Sequence, residues 1–224
     1  MCAEGIGYVF EHPDLLETAL THSSHSSEHD LGRQASNERL EYLGDAILKA
    51  VVAEALMGLM PDADEGSMSK VSAQVLSGRT LARAAKQLGL AEGLRLSRGE
   101  ELSGGRNKMR NLAGAMEAVI GAIYLDGGYD PARGFIMRSL EREIHDAIAE
   151  PIPDYKSALQ EKVQSDGRGW VSYATLSMEG PLHAPKFTVQ ALVCDRPVSI
   201  GVGPSRRQAE QDAARAALEA LTLG

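Results

Sequence analysis

The segment NERLEYLGDAIL, residues 37–48, carries two side-chain stripes at once. Glu38, Glu41 and Asp45 stand at positions i, i+3 and i+7, which is one face of an α-helix. Apolar residues recur at helical spacing on another face and indicate a buried side: Leu40, Leu43, Ile47 and Leu48. Clustered carboxylates repel each other unless water or a hard cation such as Mg²⁺ neutralises them. The acidic stripe is therefore either a solvated face or part of a metal site.

A second carboxylate far along the chain bears on that choice. Residues 112–125 read LAGAMEAVIGAIYL, in which Glu117 is the only charged residue. Their length and alanine content predict a buried helix, although two glycines weaken its helical propensity. A buried carboxylate without a partner is costly, so Glu117 requires a base, a proton or a metal. A cation shared with Glu41 and Asp45 would satisfy all three groups, whereas a salt bridge to a distant arginine is the alternative.

The composition indicates a helical protein of a reducing compartment. Hydrophobic residues make up 43% of the 224 residues but aromatic residues only 4%, so we expect a core of Leu, Ala, Val and Ile. The two cysteines, Cys2 and Cys194, do not suggest a disulfide framework. No stretch approaches the ~20 apolar residues of a membrane span, and the N-terminus lacks an apolar signal core. We expect a cytoplasmic protein with no membrane partner.

The net charge of −8 is unevenly distributed along the chain. Residues 151–224 carry eight basic and eight acidic side chains, so all of the excess negative charge lies in residues 1–150. An acidic surface repels the phosphates of a nucleic acid unless cations intervene. The charge pattern therefore favours a metal-dependent site in the N-terminal part over a simple electrostatic clamp.

The chain divides into two predicted domains of different texture. Residues 1–150 predict an all-α domain with a polar loop at 97–107. One predicted helix starts at Pro13, and another runs through NERLEYLGDAIL to about residue 60. Further helices are predicted at 67–75, 78–88, 110–125 and 131–149. Two prolines mark a linker at 151–154. Residues 155–224 predict a small α+β domain in the order α-β-β-β-α, whose strands read WVSYATLSM, KFTVQALVC and RPVSIGVG.

The last predicted helix begins with basic residues. Ser205 is a good N-cap, and Arg206 and Arg207 occupy the first turn, where cations oppose the helix dipole. The arrangement makes sense if a polyanion docks there, because the free N–H groups and both arginines then point at phosphate. Two solvated arginines are the alternative. A stripe of small residues predicts close packing of this helix on a sheet: Ala209, Ala213, Ala216 and Ala220.

Three segments of the C-terminal domain, ALQEKVQS, GPLHAPKFTV and GVGPSRRQAEQDAARAAL, resemble a double-stranded-RNA-binding domain in the same order. The resemblance implies that Gln160, Glu161 and Gln164 face one minor groove of the RNA and that the loop around His183 enters the next. Arg206 and Arg207 would bridge the phosphates between the two grooves. Such domains recognise A-form shape and 2′-hydroxyls more than sequence.

Four segments of the N-terminal domain resemble the bacterial ribonuclease III family in order: ALTHSS, NERLEYLGDAIL, DEGSMSK and MEAVIGAIYLDGGY. The resemblance implies an all-helical endonuclease that acts as a homodimer, each subunit cutting one strand of double-stranded RNA. The implied products carry 5′-phosphate and 3′-hydroxyl ends with short 3′ overhangs. The implied substrates are ribosomal RNA precursors and structured messages.

The same resemblance implies the site residues. Glu41, Asp45 and Glu117 correspond to metal ligands for Mg²⁺, with Mn²⁺ as a substitute, and Asp45 and Glu117 to the catalytic carboxylates. Glu38 and Glu65 correspond to accessory acidic positions of the family. The implied mechanism is in-line attack on the phosphodiester by a water that the metal activates.

One position departs from the family. Gly114 stands three residues before Glu117, where the family usually has an aspartate that would share the face of Glu117. In one interpretation a water replaces this ligand and cleavage persists. In the other the chain binds double-stranded RNA without cleaving it, as a natural regulator or a disabled variant. A metal-binding helical protein with no nucleic-acid role would leave the RNA-binding pattern unexplained.

Overall fold

The computed structural model describes residues 3–150, 154–181 and 185–222. Contacts along the chain separate two units, Met1–Ile152 and Pro153–Gly224. Most of the predicted linker, 151–154, lies outside the described residues. Among the described residues, no helix is both long enough and apolar enough to cross a membrane.

The first unit is built from α-helices, as predicted. In chain order they are α1 (Ala3–Ile6), α2 (Pro13–Ala19), α3 (Ser23–Glu28), α4 (Glu38–Leu59), α5 (Glu65–Val75), α6 (Gly78–Gln87), α7 (Leu90–Gly93), α8 (Arg98–Leu102), α9 (Met109–Gly127) and α10 (Tyr129–Ala149), with 3₁₀ turns at Arg33–Ala35 and Gly105–Asn107. The core lies around α9, of which twelve residues are buried. The longer predicted helices are confirmed to within a few residues at each end.

The prediction of a loop at residues 97–107 was wrong, because this segment contains α8 and a 3₁₀ turn. The Ser97 side chain caps α8 by accepting a hydrogen bond from the backbone N–H of Glu100. The Glu100 carboxylate then accepts hydrogen bonds from Lys108 and Asn111 beyond the turn. Side-chain contacts with later residues therefore order a segment whose glycines and polar residues suggest a loop.

Helices α4 and α9 approach each other so closely that two of their glycines are required. A Cβ atom at Gly44 of α4 would lie 1.7 Å from the carbonyl oxygen of Glu117, and one at Gly121 of α9 would lie 2.3 Å from that of Leu40. Glycine is therefore kept in both helices despite its low helical propensity. The contact sets the acidic stripe of α4 directly beside Glu117.

The second unit has the predicted order α-β-β-β-α, which with the all-α first unit confirms the predicted fold class. It consists of α11 (Tyr155–Ser165), β1 (Val171–Glu179), β2 (Lys186–Val193), β3 (Arg196–Gly203) and α12 (Arg206–Thr222). The strands form one antiparallel sheet in the order β1-β2-β3. A Cβ atom at Gly201 would lie 2.0 Å from the backbone nitrogen of Ala213, so α12 packs closely on β3.

The predicted small-residue stripe of α12 is only half right. Ala209 and Ala213 are buried, but the stripe continues through Ala214 and Ala217. Ala216 is only partly buried and Ala220 is exposed. Steps of four residues keep Ala209, Ala213 and Ala217 on one ridge of the helix, and this ridge faces the sheet.

Candidate active site

A cleft of about 690 Å³ lies where α4 meets α9, and its lining contains most of the predicted acidic residues. Helix α4 contributes Glu38, Glu41 and Asp45, and α9 contributes Gly114 and Glu117. The close packing of the two helices brings these groups together from positions about seventy residues apart in the chain. The acidic stripe of residues 37–48 therefore faces a cleft and is not only a solvated surface.

Glu117 has the most perturbed carboxyl group of the cleft. Burial raises its pKa to about 7, with further increases from the charges of Glu41 and Asp45 and an opposing effect of Lys49. Among the described residues no arginine pairs with it, so the alternative of a core salt bridge is not supported. A carboxyl group that is half-buried beside two others gains most from a proton or a cation.

Glu41 occupies the space above Gly114. A Cβ atom at residue 114 would lie 2.8 Å from Oε2 of Glu41 and 3.0 Å from its Cδ. Burial raises the pKa of Glu41, the charge of Arg110 opposes that rise, and Glu38 and Asp45 add to it. The glycine therefore leaves room for the Glu41 carboxylate where a larger residue would collide with it.

Asp45 forms an ion pair with Lys49, one turn later on α4, at 2.6 Å between Oδ2 and Nζ. Carboxylate oxygens are the ligands that Mg²⁺ prefers, so the donor set of the cleft suits this ion. In the part of the chain that the structure describes, however, no three acidic, histidine or cysteine side chains converge closely enough to hold a metal. Binding by Glu41, Asp45 and Glu117 would therefore require side-chain rotation, including release of Asp45 from Lys49.

The other two predicted acidic positions differ in location. Glu38 begins α4 and lines the cleft, where its carboxylate accepts a long hydrogen bond of 3.5 Å from Ser36. Glu65 begins α5, is exposed and accepts a hydrogen bond of 2.8 Å from the Ser69 hydroxyl. It is absent from the cleft lining. The structure thus groups Glu38 with the cleft and leaves Glu65 outside it.

Sequence reasoning missed the polar residues on the other side of the cleft. Glu100 Oε1 accepts hydrogen bonds from Lys108 at 2.9 Å and from Asn111 at 2.8 Å, and these bonds lower the pKa of Glu100. His22 also lines the cleft, and its Nδ1 accepts a hydrogen bond of 3.2 Å from the backbone N–H of Ser24. Arg110 adds an exposed cation.

The described part of the predicted RNA-binding surface lies on α11 and α12. Gln160 and Glu161 border a shallow cavity of about 400 Å³ together with Lys156 and Tyr173. Gln164 is exposed one turn later on α11. The prediction for His183 falls outside the described residues. Lys156, the second residue of α11, borders the same cavity but was not among the predicted RNA-binding residues.

The basic start of α12 has the predicted cap. The Ser205 hydroxyl accepts a hydrogen bond of 3.3 Å from the backbone N–H of Gln208. Arg207 is exposed, whereas Arg206 forms an ion pair with Glu210 on the next turn. The two arginines are therefore not equivalent, because only Arg206 has an ion pair among the described contacts.

Comparisons with known proteins agree with both units. A family described as "Ribonuclease-III-like" matches residues 12–144, and the "Double-stranded RNA binding motif" matches residues 155–221. Ribonuclease 3 of Streptococcus thermophilus is 40% identical over 218 residues, covering 97% of this chain and 95% of that protein. Ribonuclease 3 of a Clostridium botulinum strain is 41% identical over 217 residues, covering 96% and 93%.

The fold of the first unit also has a solved relative. The nuclease domain of ribonuclease III from Campylobacter jejuni superimposes with a TM-score of 0.59 at 36% identity, covering 63% of this chain and 95% of that domain. The double-stranded RNA binding motif identifies the second unit as an RNA-binding module. With both matches in order along nearly its whole length, the chain belongs to the ribonuclease III family and is an endoribonuclease of that type.

Proposed function

We propose that this protein hydrolyses phosphodiester bonds of double-stranded RNA with the help of Mg²⁺. The products would carry 5′-phosphate and 3′-hydroxyl ends with short 3′ overhangs, and precursors of ribosomal RNA and structured messages are the proposed substrates. The observation that carries the proposal is that Glu41, Asp45 and Glu117 line one cleft of a chain that also contains an RNA-binding unit.

In this proposal Glu41, Asp45 and Glu117 would hold the ion, and Mn²⁺ could replace Mg²⁺. The bound ion supplies an activated water and neutralises the charge that develops on the phosphate. Glu117 gives up the proton that its pKa of about 7 lets it keep near neutral pH. Asp45 would turn from Lys49 to the ion, and Arg110 supplies positive charge at the same cleft.

A second candidate function is binding of double-stranded RNA without cleavage. It is favoured by the position of Glu41, whose carboxylate fills the space at Gly114 where the family usually has another ligand. In that case the protein would protect or present RNA duplexes.

Cleavage of an end-labelled RNA duplex by the full chain distinguishes the two candidates. The parent protein, Gly114→Asp and Glu117→Gln are compared over a titration of Mg²⁺ and Mn²⁺, with RNA binding measured separately in EDTA. If the parent cleaves and Glu117→Gln is slower by about a hundredfold or more, the nuclease proposal holds. If only Gly114→Asp cleaves while all three proteins bind RNA equally, the second candidate is correct.

A further inference from the structure

Glu210, in the first turns of α12, is a buried carboxylate that binds two cations from different helices. The residue Glu210 is only 9% exposed. Oε2 accepts a hydrogen bond of 2.6 Å from Nζ of Lys156 on α11, and Oε1 accepts one of 2.9 Å from Nε of Arg206 on α12. Burial acts to raise the pKa of Glu210, but these two bonds outweigh it and lower the pKa. Glu210 therefore stays ionised and joins the two helices.

Lys156 also contacts β1 and a second residue of α12. Its ammonium lies 4.9 Å from the centre of the Tyr173 ring, in a cation–π contact. Its backbone N–H donates to the side chain of Gln211 on α12 at 3.3 Å. The same Gln211 donates at 2.9 Å to Asp154, the N-cap residue of α11. These hydrogen bonds connect the first turns of α11 and α12 around Glu210.

Both cations keep donors that Glu210 does not use. Arg206 binds Glu210 through Nε, which leaves its two terminal amino groups for other acceptors. Its side chain is 64% exposed, and that of Lys156 is 34% exposed. A guanidinium whose Nε is fixed presents its remaining donors in one defined plane, which suits the oxygens of a phosphate.

We propose that Glu210 is a positioning residue for RNA binding, which holds Lys156 and Arg206 at a fixed separation so that both contact phosphates of the RNA backbone. The inference rests on RNA binding by the second unit and is independent of the cleavage chemistry proposed above. It makes Lys156 an RNA-contacting residue beside Gln160 and Glu161.

The direction in which removal of the Glu210 charge changes RNA affinity distinguishes a positioning role from a purely electrostatic effect. An anion close to a phosphate-binding surface repels RNA, so its removal would strengthen binding if charge alone mattered. If Glu210 positions the two cations, its removal frees their side chains and weakens binding despite the gain in net positive charge. The two explanations therefore predict opposite changes in affinity.

The experiment measures the affinity of the full chain for a duplex RNA of about 20 base pairs in EDTA, which prevents cleavage. Glu210→Gln is compared with Glu219→Gln, which makes the same change of charge on α12 at a residue that pairs with Arg215. We expect Glu210→Gln to weaken binding by about five- to tenfold and Glu219→Gln to change it by less than about twofold. Affinity of Glu210→Gln equal to or above that of the parent would overturn the proposal.

Three further measurements distinguish a positioning role from a loss of folding. The fluorescence of Trp170, the only tryptophan of the chain, reports whether the second unit remains folded. Glu210→Asp keeps the charge but shortens the side chain by one methylene, so it should also weaken binding if the separation of the cations matters. In the background of Glu210→Gln, Arg206→Gln should cost less affinity than in the parent. Fully additive losses from these two changes would contradict the proposal.

Discussion

Gly114 and Glu41 illustrate how one residue can change the chemistry of a whole cleft. Gly114 stands where the resemblance to the family implies a further carboxylate, and the Glu41 carboxylate lies in the space that a side chain would occupy. Glu117, one turn later on α9, keeps a pKa of about 7 because it is buried near two other acids. We therefore expect the positions of a few carboxylates to govern the metal affinity of the proposed site.

Alanine and aspartate at residue 114 should have opposite effects on metal binding. Gly114→Ala introduces a Cβ atom within 3 Å of Glu41, so that carboxylate must move, and no new ligand is added. We expect affinity for Mn²⁺, measured by calorimetric titration, to fall several-fold. Gly114→Asp displaces Glu41 equally but adds a carboxylate, and affinity should rise by about tenfold. Equal affinities of the two variants would show that the residue does not touch the metal site.

The pKa of Glu117 makes the metal-free protein lose stability as the pH rises. The folded chain binds this proton more tightly than the unfolded chain does, whose carboxyl has a pKa near 4.5. The stabilisation is therefore fully present below pH 4.5 and is lost as the pH rises through about 7. At pH 8 Glu117→Gln should stabilise the first unit by about 1 kcal/mol, after allowance for solvent screening.

Calorimetric unfolding in EDTA at pH 5 and pH 8 measures this effect. The second unit serves as an internal control, because Trp170 fluorescence follows its unfolding separately. The parent and Glu117→Gln should differ clearly at pH 8 and little at pH 5. A constant difference at both pH values would mean that Glu117 does not titrate in this range.

At the scale of elements, the contact of α4 with α9 positions the acidic residues of the cleft. Backbone atoms of the two helices meet at Gly44 and Gly121, so the register between the helices is fixed. That register sets Glu41 and Asp45 beside Glu117. A change that separates the helices should therefore affect stability and the candidate active site together.

Gly44→Ala should lower both stability and activity, whereas Gly58→Ala should not. A Cβ atom at Gly44 would lie 1.7 Å from a backbone oxygen of α9, which forces the helices apart at a cost of about 3 kcal/mol or more. Gly58 lies on the same helix with open space around it, so alanine there should stabilise by about 0.5–1 kcal/mol. Thermal unfolding measures both variants, and similar losses in the two would refute this role of the contact.

At the scale of the whole molecule, we propose that two copies associate through a groove beside the cleft. The groove, of about 660 Å³, is lined by residues of α2, α4 and α9 that include Leu15, Leu40, Tyr42, Leu43 and Leu125. Tyr42 is 83% exposed and Leu125 is 54% exposed. A symmetric pair of nuclease units would supply one site for each strand of an RNA duplex.

Leu125→Glu should convert a dimer into a monomer without unfolding it. The side chain is exposed in the single chain, so the change costs little stability there but buries a charge in the proposed interface. Light scattering coupled to size exclusion gives the mass of the parent, of Leu125→Glu and of Met57→Glu. Met57 is exposed on α4 but does not line the groove, so its variant should keep the parent's mass. A monomeric parent would contradict the proposal.

Much of the fold of this protein can be predicted from its sequence. The spacing of Leu40, Leu43, Ile47 and Leu48 predicts α4, and strand alternation followed by a capped, alanine-rich segment predicts the second unit. Such patterns are readable because helices and strands repeat their side-chain directions every 3.6 and two residues. The structure corrects the predictions where contacts with residues outside a segment decide its conformation. An example is α8, whose Glu100 accepts hydrogen bonds from Lys108 and Asn111.

The sequence alone determined the types and the order of the longer elements and the acidic character of the candidate active site, because these depend on local periodicity and composition. Only the tertiary structure decided which groups meet. It set Glu117 beside the stripe of α4 through two glycines, placed the Glu41 carboxylate over Gly114, and joined Lys156 to Arg206 through Glu210. Such pairings depend on how helices pack, and residues far apart in the chain carry no local pattern that records them.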